Sequence, residues 1–209
     1  MTALATHVPG TPAAEIAVDA DLARRLVATQ HPDLADQPIT FLASGWDNAI
    51  FRLGADLLLR LPRREVGARL IAHEQRWLPG LKPRLPLEIP APVRTGVADD
   101  AFPWPWSIVP WIEGETADLA WPDEDQGEVL AGFFRALHEP APEAAPRNPV
   151  RGVPLAQRAH VFAERDRSLA GRTDRVTKAV RAIWADARAA PDDAAPTWIQ
   201  GDPHPRNVL

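Results

Sequence analysis

Three short apolar runs near the beginning of the chain constrain its fold more than any other feature. They cover residues 39–43, 49–53 and 57–61, and the segments between them, 44–48 and 54–56, contain Gly, Ser, Asn and Asp. Those four residue types favour turns, and short apolar runs bounded by them are typical of strands. Because strands joined by such short connections pair with opposite directions, the sequence predicts an antiparallel meander.

A helical segment interrupts the predicted strands. Apolar residues recur at helical spacing over residues 66–78, which predicts a helix there. Two further strands are predicted at 89–95 and 106–111, although their prolines favour irregular or edge positions. An earlier helix is predicted to begin after Asp19, whose carboxylate can cap it, and to end near His31. The first half of the chain therefore predicts five strands with one inserted helix.

The second half of the chain is predicted to be helical. Residues 125–138 carry one apolar stripe at helical spacing, and two further helices are predicted at 155–169 and 174–189. A strand-rich half followed by a helical half indicates an α+β protein with two lobes. The predicted domains are a first lobe at residues 1–112 and a partial helical lobe at residues 113–209.

The composition disfavours several classes of protein. The 209 residues are 45% hydrophobic and 24% charged, which is ordinary for a globular protein. There is no Cys, so disulfides and thiolate sites are excluded, and the formal net charge of −5 argues against binding to nucleic acid. The chain begins without the basic start and apolar stretch of a signal peptide, and no apolar run approaches a membrane span in length. We therefore expect a cytoplasmic protein with no membrane or nucleic-acid partner.

The last residues of the chain carry the clearest chemical pattern. Asp202 and Asn207 are separated by four residues, two of which are Pro. This spacing is typical of a kinase catalytic loop, in which the Asp accepts the proton of a substrate hydroxyl and the Asn binds magnesium on the nucleotide phosphates. The apolar pairs at 198–199 and 208–209 predict two short strands around the loop. An Asp and an Asn at this spacing also occur in ordinary surface turns, so the pair alone leaves both interpretations open.

The whole segment from Gly201 to Leu209 resembles the catalytic loop of the aminoglycoside phosphotransferase family. These small-molecule kinases have a protein-kinase-like fold, with a five-stranded antiparallel first lobe and a mainly helical second lobe. The resemblance implies that Asp202 is the catalytic base and Asn207 a metal ligand. Gln200 stands where the family commonly has His. Because Gln can form hydrogen bonds but cannot titrate, only a structural role is expected for it.

The same resemblance assigns the first turn of the meander to the nucleotide. Ser44, Gly45 and Asn48 belong to the turn that would cover the phosphates, where a Gly lets backbone N–H groups come close to an anion. A single Gly is a weak signal, and a hairpin turn without a ligand is the alternative interpretation.

Arg60 and Glu74 are the predicted phosphate-binding pair. Protein kinases place a Lys on the third strand and a Glu on the next helix. In this chain Arg60 is the cation within the apolar run 57–61, and Glu74 is the central acid of the predicted helix. A guanidinium can bind phosphate through two hydrogen bonds. The alternative is a surface Arg and a solvated Glu. The neighbouring Arg63 and Arg64 are expected to be solvated.

Residues 107–112, in and directly after the last predicted strand, would supply the purine site. Val109 and Trp111 are its predicted residues, and recognition there normally uses backbone groups, so ATP and GTP remain equally open.

The resemblance thus implies an enzyme that transfers the γ-phosphoryl group of ATP or GTP, with Mg²⁺, to a hydroxyl of a small molecule. An aminoglycoside or related antibiotic is the implied acceptor, and antibiotic resistance the implied role. Two alternatives are an inactive nucleotide-binding module of kinase-like fold and a fragment with an interaction role only. The family has a second metal-binding Asp after this loop, whereas the sequence stops at Leu209. We therefore expect an incomplete catalytic site, and self-association through the apolar face that contains Phe133 and Phe134.

Overall fold

The computed structural model describes residues 12–191 and 194–209, so residues 1–11 of the predicted first domain lie outside the described residues. Its centre is one five-stranded antiparallel sheet with the strand order β1-β2-β3-β5-β4. The strands are β1 (Ile39–Ser44), β2 (Asn48–Leu53), β3 (Leu57–Pro62), β4 (Arg94–Gly96) and β5 (Trp106–Pro110). The predicted meander and the α+β class are confirmed.

Five α-helices accompany the sheet in the described residues. They are α1 (Ala20–Gln30), α2 (Glu65–Leu81), α3 (Gln126–Leu137), α4 (Ala159–Leu169) and α5 (Lys178–Ala189). Asp19 caps α1 as predicted, because its carboxylate accepts a hydrogen bond of 2.8 Å from the Leu22 N–H. None of the helices in the described parts of the chain has both the length and the apolarity that crossing a membrane requires.

The sheet has two different faces. In β2, Phe51 and Leu53 are fully buried and belong to a core that also contains Leu26 and Val27 of α1. The residues between them point to the opposite face, since side chains alternate along a strand. On that second face Arg60 of β3 meets α2. The hydrophobic core therefore lies between the sheet and α1, which leaves the other face available for polar chemistry.

The fourth strand is shorter than predicted. The expected strand at residues 89–95 is reduced to Arg94–Gly96, and the last strand ends at Pro110 rather than at residue 111. Pro90 and Pro92 have no N–H to donate to a neighbouring strand, so pairing begins only beyond them.

Two helices of the second half begin later than predicted. Residues 155–158 form a 3₁₀ turn before α4, and α5 begins after Thr177 rather than at Asp174. Thr177 accepts a hydrogen bond of 3.3 Å from the Val180 N–H and is therefore the cap. Asp and Thr are both good helix caps, so the sequence does not distinguish a start at Asp174 from a start after Thr177.

The strands expected on either side of the predicted catalytic loop are absent from the described residues. Thr197 forms an isolated bridge with Pro140, and a 3₁₀ turn at Pro205–Asn207 follows the loop. Val208 accepts one backbone hydrogen bond, from Ala117. Runs of only two apolar residues can bond to a neighbouring segment at one point but cannot extend into a ladder.

The structure divides into two compact units. The first extends to Ala136 and includes Pro205–Leu209, and the second is Leu137–His204. The domain boundary after residue 112 stays a prediction.

Candidate active site

Arg60 and Glu74 form a close ion pair on the face of the sheet that packs against α2. The Arg60 Nη1 atom lies 2.6 Å from the Glu74 Oε2 atom, and Nη2 lies 3.3 Å from Oε1. The two side chains are only 18% and 28% exposed, so water screens this pair less than a surface pair. A guanidinium has five N–H donors, so Arg60 can hold the Glu74 carboxylate and still donate to an anionic ligand.

A second contact fixes α2 against the sheet, and the sequence did not reveal it. Gln75 Nε2 donates to the backbone oxygen of Trp106 at 2.8 Å and to the buried Ser107 hydroxyl at 3.2 Å. Gln75 is adjacent to Glu74, so this contact sets the rotation of α2 and directs Glu74 toward Arg60. The only sequence signal for this contact was the position of Gln75 directly after the expected Glu74. That signal is weak, because Gln is common on exposed helices.

The turn between β1 and β2 is braced by two arginines. Arg63 donates from Nη1 to the Gly45 backbone oxygen at 2.7 Å, and Arg64 Nη1 lies 3.4 Å from the Asp47 carboxylate. The prediction that both arginines are solvated was therefore wrong. Their position directly after β3 brings them alongside the turn, because β3 and β2 pair antiparallel up to Asn48 and Pro62.

Gly67 allows α2 to begin against this turn. A Cβ atom at Gly67 would lie 2.6 Å from the backbone oxygen of Asp47, which is shorter than real contacts of a Cβ atom. A Gly inside a helix is unfavourable by about 1 kcal/mol relative to Ala, and at Gly67 the close approach to the turn accounts for it. Sequence reasoning could not have singled out Gly67, because Gly80 lies in the same helix with no atom close to it.

The predicted nucleotide residues of the turn have different surroundings. The Gly45 N–H donates to the Asn48 backbone oxygen at 2.9 Å and closes the turn. Asn48 Oδ1 is buried, and within the described residues it has no hydrogen-bond donor. An unsatisfied buried oxygen of this kind is unusual and is compatible with a donor supplied by a ligand. Nucleotide binding by Ser44, Gly45 and Asn48 stays a prediction.

An apolar strip continues from Arg60 along the same face. Ile50 pairs with Arg60, and Leu58 pairs with Val109, so the side chains of all four residues lie on one side of the sheet. Val109 is fully buried, whereas Ile50 and Leu58 are half-buried. Trp111 follows Val109 at the next alternating position. Arg60 pairs with Ser107, which lies four residues before Trp111. Each strand residue advances about 3.3 Å, so Arg60 and Trp111 are about 13 Å apart along the strand direction.

Trp111 is held by both its backbone and its side chain. Its N–H donates to the Asp56 backbone oxygen at 2.8 Å, so that donor is already used. The indole N–H donates to Glu113 at 2.6 Å, and the guanidinium of Arg52 lies 3.8 Å from the ring centroid. The half-exposed ring, rather than the backbone donor, is therefore what Trp111 offers to a ligand.

Asp202 is held by a residue that the sequence did not reveal. Arg151 Nη1 lies 2.8 Å from the Asp202 Oδ1 atom and also donates to the Gly201 backbone oxygen. The hydrogen bond and charge of Arg151, with a smaller contribution from His204, lower the pKa of the Asp202 carboxyl below its usual value. Gln200 accepts a hydrogen bond of 2.7 Å from the Asp202 N–H, which fits a structural role. The carboxylate is thus kept ionised and oriented.

A short turn places Arg151 beside the loop. Asn148 Oδ1 accepts hydrogen bonds from the N–H groups of Val150 and Arg151, at 2.8 and 2.9 Å. Gly152 has a left-handed backbone with φ of 63°, and a Cβ atom there would lie 2.7 Å from the Ile199 side chain. Only Gly fits that position, so the turn can pack against the residues before Asp202.

Comparison with known proteins identifies the family. Residues 38–209 match the family model described as "Phosphotransferase enzyme family", APH. The chain belongs to this family. The resemblance of the catalytic-loop segment is thereby confirmed. Among curated proteins, none matches the sequence.

Solved structures of phosphotransferases share the fold. The GDP complex of a variant of aminoglycoside 2'-phosphotransferase-IIIa has a TM-score of 0.66 at 21% identity, over 90% of this chain and 65% of that one. The GDP and kanamycin complex of APH(2")-IIia has a TM-score of 0.64 at 21% identity, over 89% of this chain and 69% of that one. The macrolide 2'-phosphotransferase MphH from Brachybacterium faecium has a TM-score of 0.54 at 22% identity, over 89% of this chain and 66% of that one. The chain thus spans about two thirds of the length of these proteins.

Magnesium is the metal that the family resemblance implied, and Asn207 is its predicted ligand in this chain. Asn207 ends the 3₁₀ turn in the first unit, whereas Asp202 belongs to the second unit. Nearby, Arg206 Nε lies 3.0 Å from the Asp118 carboxylate. In the described part of the chain, no three His, Cys, Asp or Glu residues form a metal-binding group. Mg²⁺ often takes few protein oxygens and completes its shell with phosphate and water, so the role of Asn207 stays a prediction.

Proposed function

We propose that this phosphotransferase-family protein transfers the γ-phosphoryl group of ATP or GTP to a hydroxyl of a small molecule in the cytoplasm. The observation that carries the proposal is the ion pair between Arg60 and Glu74, at 2.6 Å, on the face of the sheet away from the core. A cation on a central strand is uncommon because burial of a charge is unfavourable, and an anionic ligand explains its position.

The first unit has the features of a nucleotide site. Arg60 would donate to the phosphates, and the half-buried Ile50 and Leu58 of the strip would contact the planar base, with the buried Val109 packed beside them. The strip extends about 13 Å to Trp111, which suits a molecule with a charged end and an apolar, flat end.

Asp202 would act on the acceptor. Its carboxylate, with a pKa lowered by Arg151, is ionised at neutral pH and can accept the proton of the attacking hydroxyl. As that proton leaves, the hydroxyl oxygen bonds to the γ-phosphorus and the bond from the γ-phosphorus to the bridging oxygen breaks, which releases the nucleoside diphosphate. Magnesium, when bound, neutralises charge on the phosphates. Positioning and electrostatics supply most of the catalysis in such a transfer.

Replacement of Asp202 tests the proposal. In the full-length protein, Asp202→Ala should lower phosphoryl transfer by about 100-fold or more and leave nucleotide affinity nearly unchanged, because only the proton acceptor is lost. Asp166→Ala is the matched control, since Asp166 is also an Arg-paired carboxylate of the second unit, 2.7 Å from Arg181. Transfer rates and calorimetric titration would be measured on both variants. Wild-type turnover by Asp202→Ala would exclude this residue from the mechanism, and binding without turnover by the wild type would favour an inactive nucleotide-binding module.

The acceptor is proposed to be a polycationic, hydroxylated compound of the aminoglycoside class. The family and the net charge of −5 favour such a substrate, which an acidic protein attracts at low salt. Aminoglycosides, macrolides and small amino alcohols should be assayed with ATP and with GTP. Turnover of aminoglycosides that weakens with salt is expected, and a role in antibiotic resistance would follow. Turnover of macrolides or amino alcohols alone would exclude the aminoglycoside and preserve the kinase assignment.

A further inference from the structure

The side chain of Trp111 is fixed by two charged residues from different parts of the first unit. Arg52 comes from the end of β2, and its guanidinium lies 3.8 Å from the centroid of the indole ring. Glu113 lies two residues after Trp111 and accepts the indole N–H at 2.6 Å. Arg52 therefore packs against the face of the ring, and the hydrogen bond to Glu113 fixes the rotation of the ring. The half-buried Trp111 ring is thus held from two sides.

Arg52 is in turn held by the turn that follows its strand. Its Nε atom donates to the Gly54 backbone oxygen at 3.3 Å, and a second N–H donates to the backbone oxygen of Ala55. Gly54 makes this possible because its backbone is left-handed, with φ of 62°. The guanidinium plane is thus fixed before any ligand binds. A cation fixed over a Trp ring is the favourable geometry of a cation–π contact.

The fixed ring lies at the end of the apolar strip. Arg52 pairs with Leu58 across β2 and β3, and Leu58 pairs with Val109. Trp111 follows Val109 by two residues on the same face. The strip therefore begins with the Arg60 charge and ends with an immobilised aromatic ring.

We propose that Arg52 is a positioning residue for the purine base, and that it holds Trp111 as the end wall of the base site. This inference rests on the proposed nucleotide-dependent function. A rigid aromatic surface contacts a purine without loss of side-chain freedom, and ring contacts do not distinguish strongly between adenine and guanine. The wall thus contributes to affinity for the base, and Arg60 to affinity for the phosphates.

Two ligands that each probe one end of the strip test this division. Calorimetry would compare ATP and GTP with inorganic tripolyphosphate, which has the charges but no base. Arg52→Ala should weaken ATP and GTP about threefold to tenfold and leave tripolyphosphate affinity unchanged. Arg52→Lys keeps the charge but loses the planar group, so an intermediate effect is expected. Arg60→Ala should weaken tripolyphosphate as well as both nucleotides.

Arg69→Ala is the matched control, because Arg69 is an exposed arginine on α2 that pairs with Glu65 at 2.6 Å. It should bind all three ligands like the wild type. If Arg52→Ala lost affinity for nucleotides and tripolyphosphate equally, Arg52 would have a general structural role. If its nucleotide affinity were unchanged, Arg52 would have no role in binding. Either result would overturn this inference and leave the proposed function intact. A wild-type protein that binds no nucleotide would overturn the proposed function and this inference with it.

Discussion

Arg151 shows how a single side chain can prepare a site that its sequence position does not indicate. It lies 51 residues before Asp202 in a Pro-rich segment, and its guanidinium is 2.8 Å from the carboxylate. Both side chains are about half exposed, so water weakens their attraction and the pair contributes more to orientation than to stability. Arg151 engages the Oδ1 atom of Asp202, and the Nε2 atom of His204 lies 3.9 Å from the Oδ2 atom.

Removal of Arg151 should change both rate and pH dependence. Arg151→Ala is expected to lower kcat about twofold to fivefold, the range for an exposed ion pair, with little change in nucleotide KM. Because Arg151 lowers the pKa of Asp202, its removal raises that pKa, and the acid limb of the kcat/KM profile moves to higher pH.

Arg181→Ala is the control for this prediction, since it breaks the similar pair with Asp166. It should leave the pH profile in place. An Arg151→Ala profile that coincides with that of the wild type would contradict the positioning role.

At the scale of elements, α2 and the turn between β1 and β2 behave as one assembly. The Asp47 carboxylate lies 3.4 Å from Arg64, which directly precedes α2, and its backbone oxygen occupies the space where Gly67 lacks a Cβ atom. The same helix carries Glu74 to Arg60. Displacement of α2 would therefore disturb the turn between β1 and β2 together with Arg60, the cation that we propose binds phosphate.

The two glycines of α2 should respond in opposite ways to Ala. Gly80→Ala meets no atom within 4 Å, so the protein should be unchanged or stabilised by up to about 1 kcal/mol. Gly67→Ala has the same helix preference, but its Cβ would lie 2.6 Å from the Asp47 oxygen, so the turn or the helix must move. We expect a lower Tm and weaker ATP binding for Gly67→Ala only. Equal gains in Tm for both variants would show that the contact at Gly67 is not tight.

At the scale of the whole molecule, a half-buried titratable group, His31, lies against the core residue Trp106. His31 contacts Trp106 edge to face, with ring centroids 5.3 Å apart, and its Nε2 atom is buried without a hydrogen-bond partner in the described residues. Burial lowers the pKa of His31 from the usual 6.5, and the charge of Arg94 lowers it further, whereas Asp33 opposes both. The folded state therefore favours the neutral ring.

Stability should consequently fall in mild acid. The unfolded chain binds a proton to His31 near pH 6.5, and the folded chain does so only at lower pH. The stability that the neutral ring contributes is present above that pH and is lost as the pH falls toward the lower, folded pKa. The Tm of the wild type should drop more between about pH 8 and about pH 5 than that of His31→Gln. His73→Gln, at an exposed position of α2, should keep the wild-type dependence. Identical profiles for wild type and His31→Gln would contradict the prediction.

Local patterns predicted the sheet well. The strands at 39–44, 48–53 and 57–62 follow apolar runs with turn residues between them, and Asp19 caps α1 as its position indicates. The same reasoning failed where local signals compete or are too short, as at Thr177 against Asp174 and at the two-residue runs around the catalytic loop. Asp174 and Thr177 are equally good caps, so the residues around them do not determine which one begins the helix.

The sequence by itself determined the strand order of the meander, the family and the pattern that joins Asp202 to Asn207, because each depends on residues close together in the chain. Only the tertiary structure decided that Arg151 holds Asp202, that Arg52 fixes Trp111 and that α2 approaches the turn at Gly67. Arg151 and Gly67 act on residues 51 and 20 positions away, across segments whose paths are set by packing. A side chain's partner at such separation depends on how the intervening elements fold against each other, and one sequence does not specify that contact in advance.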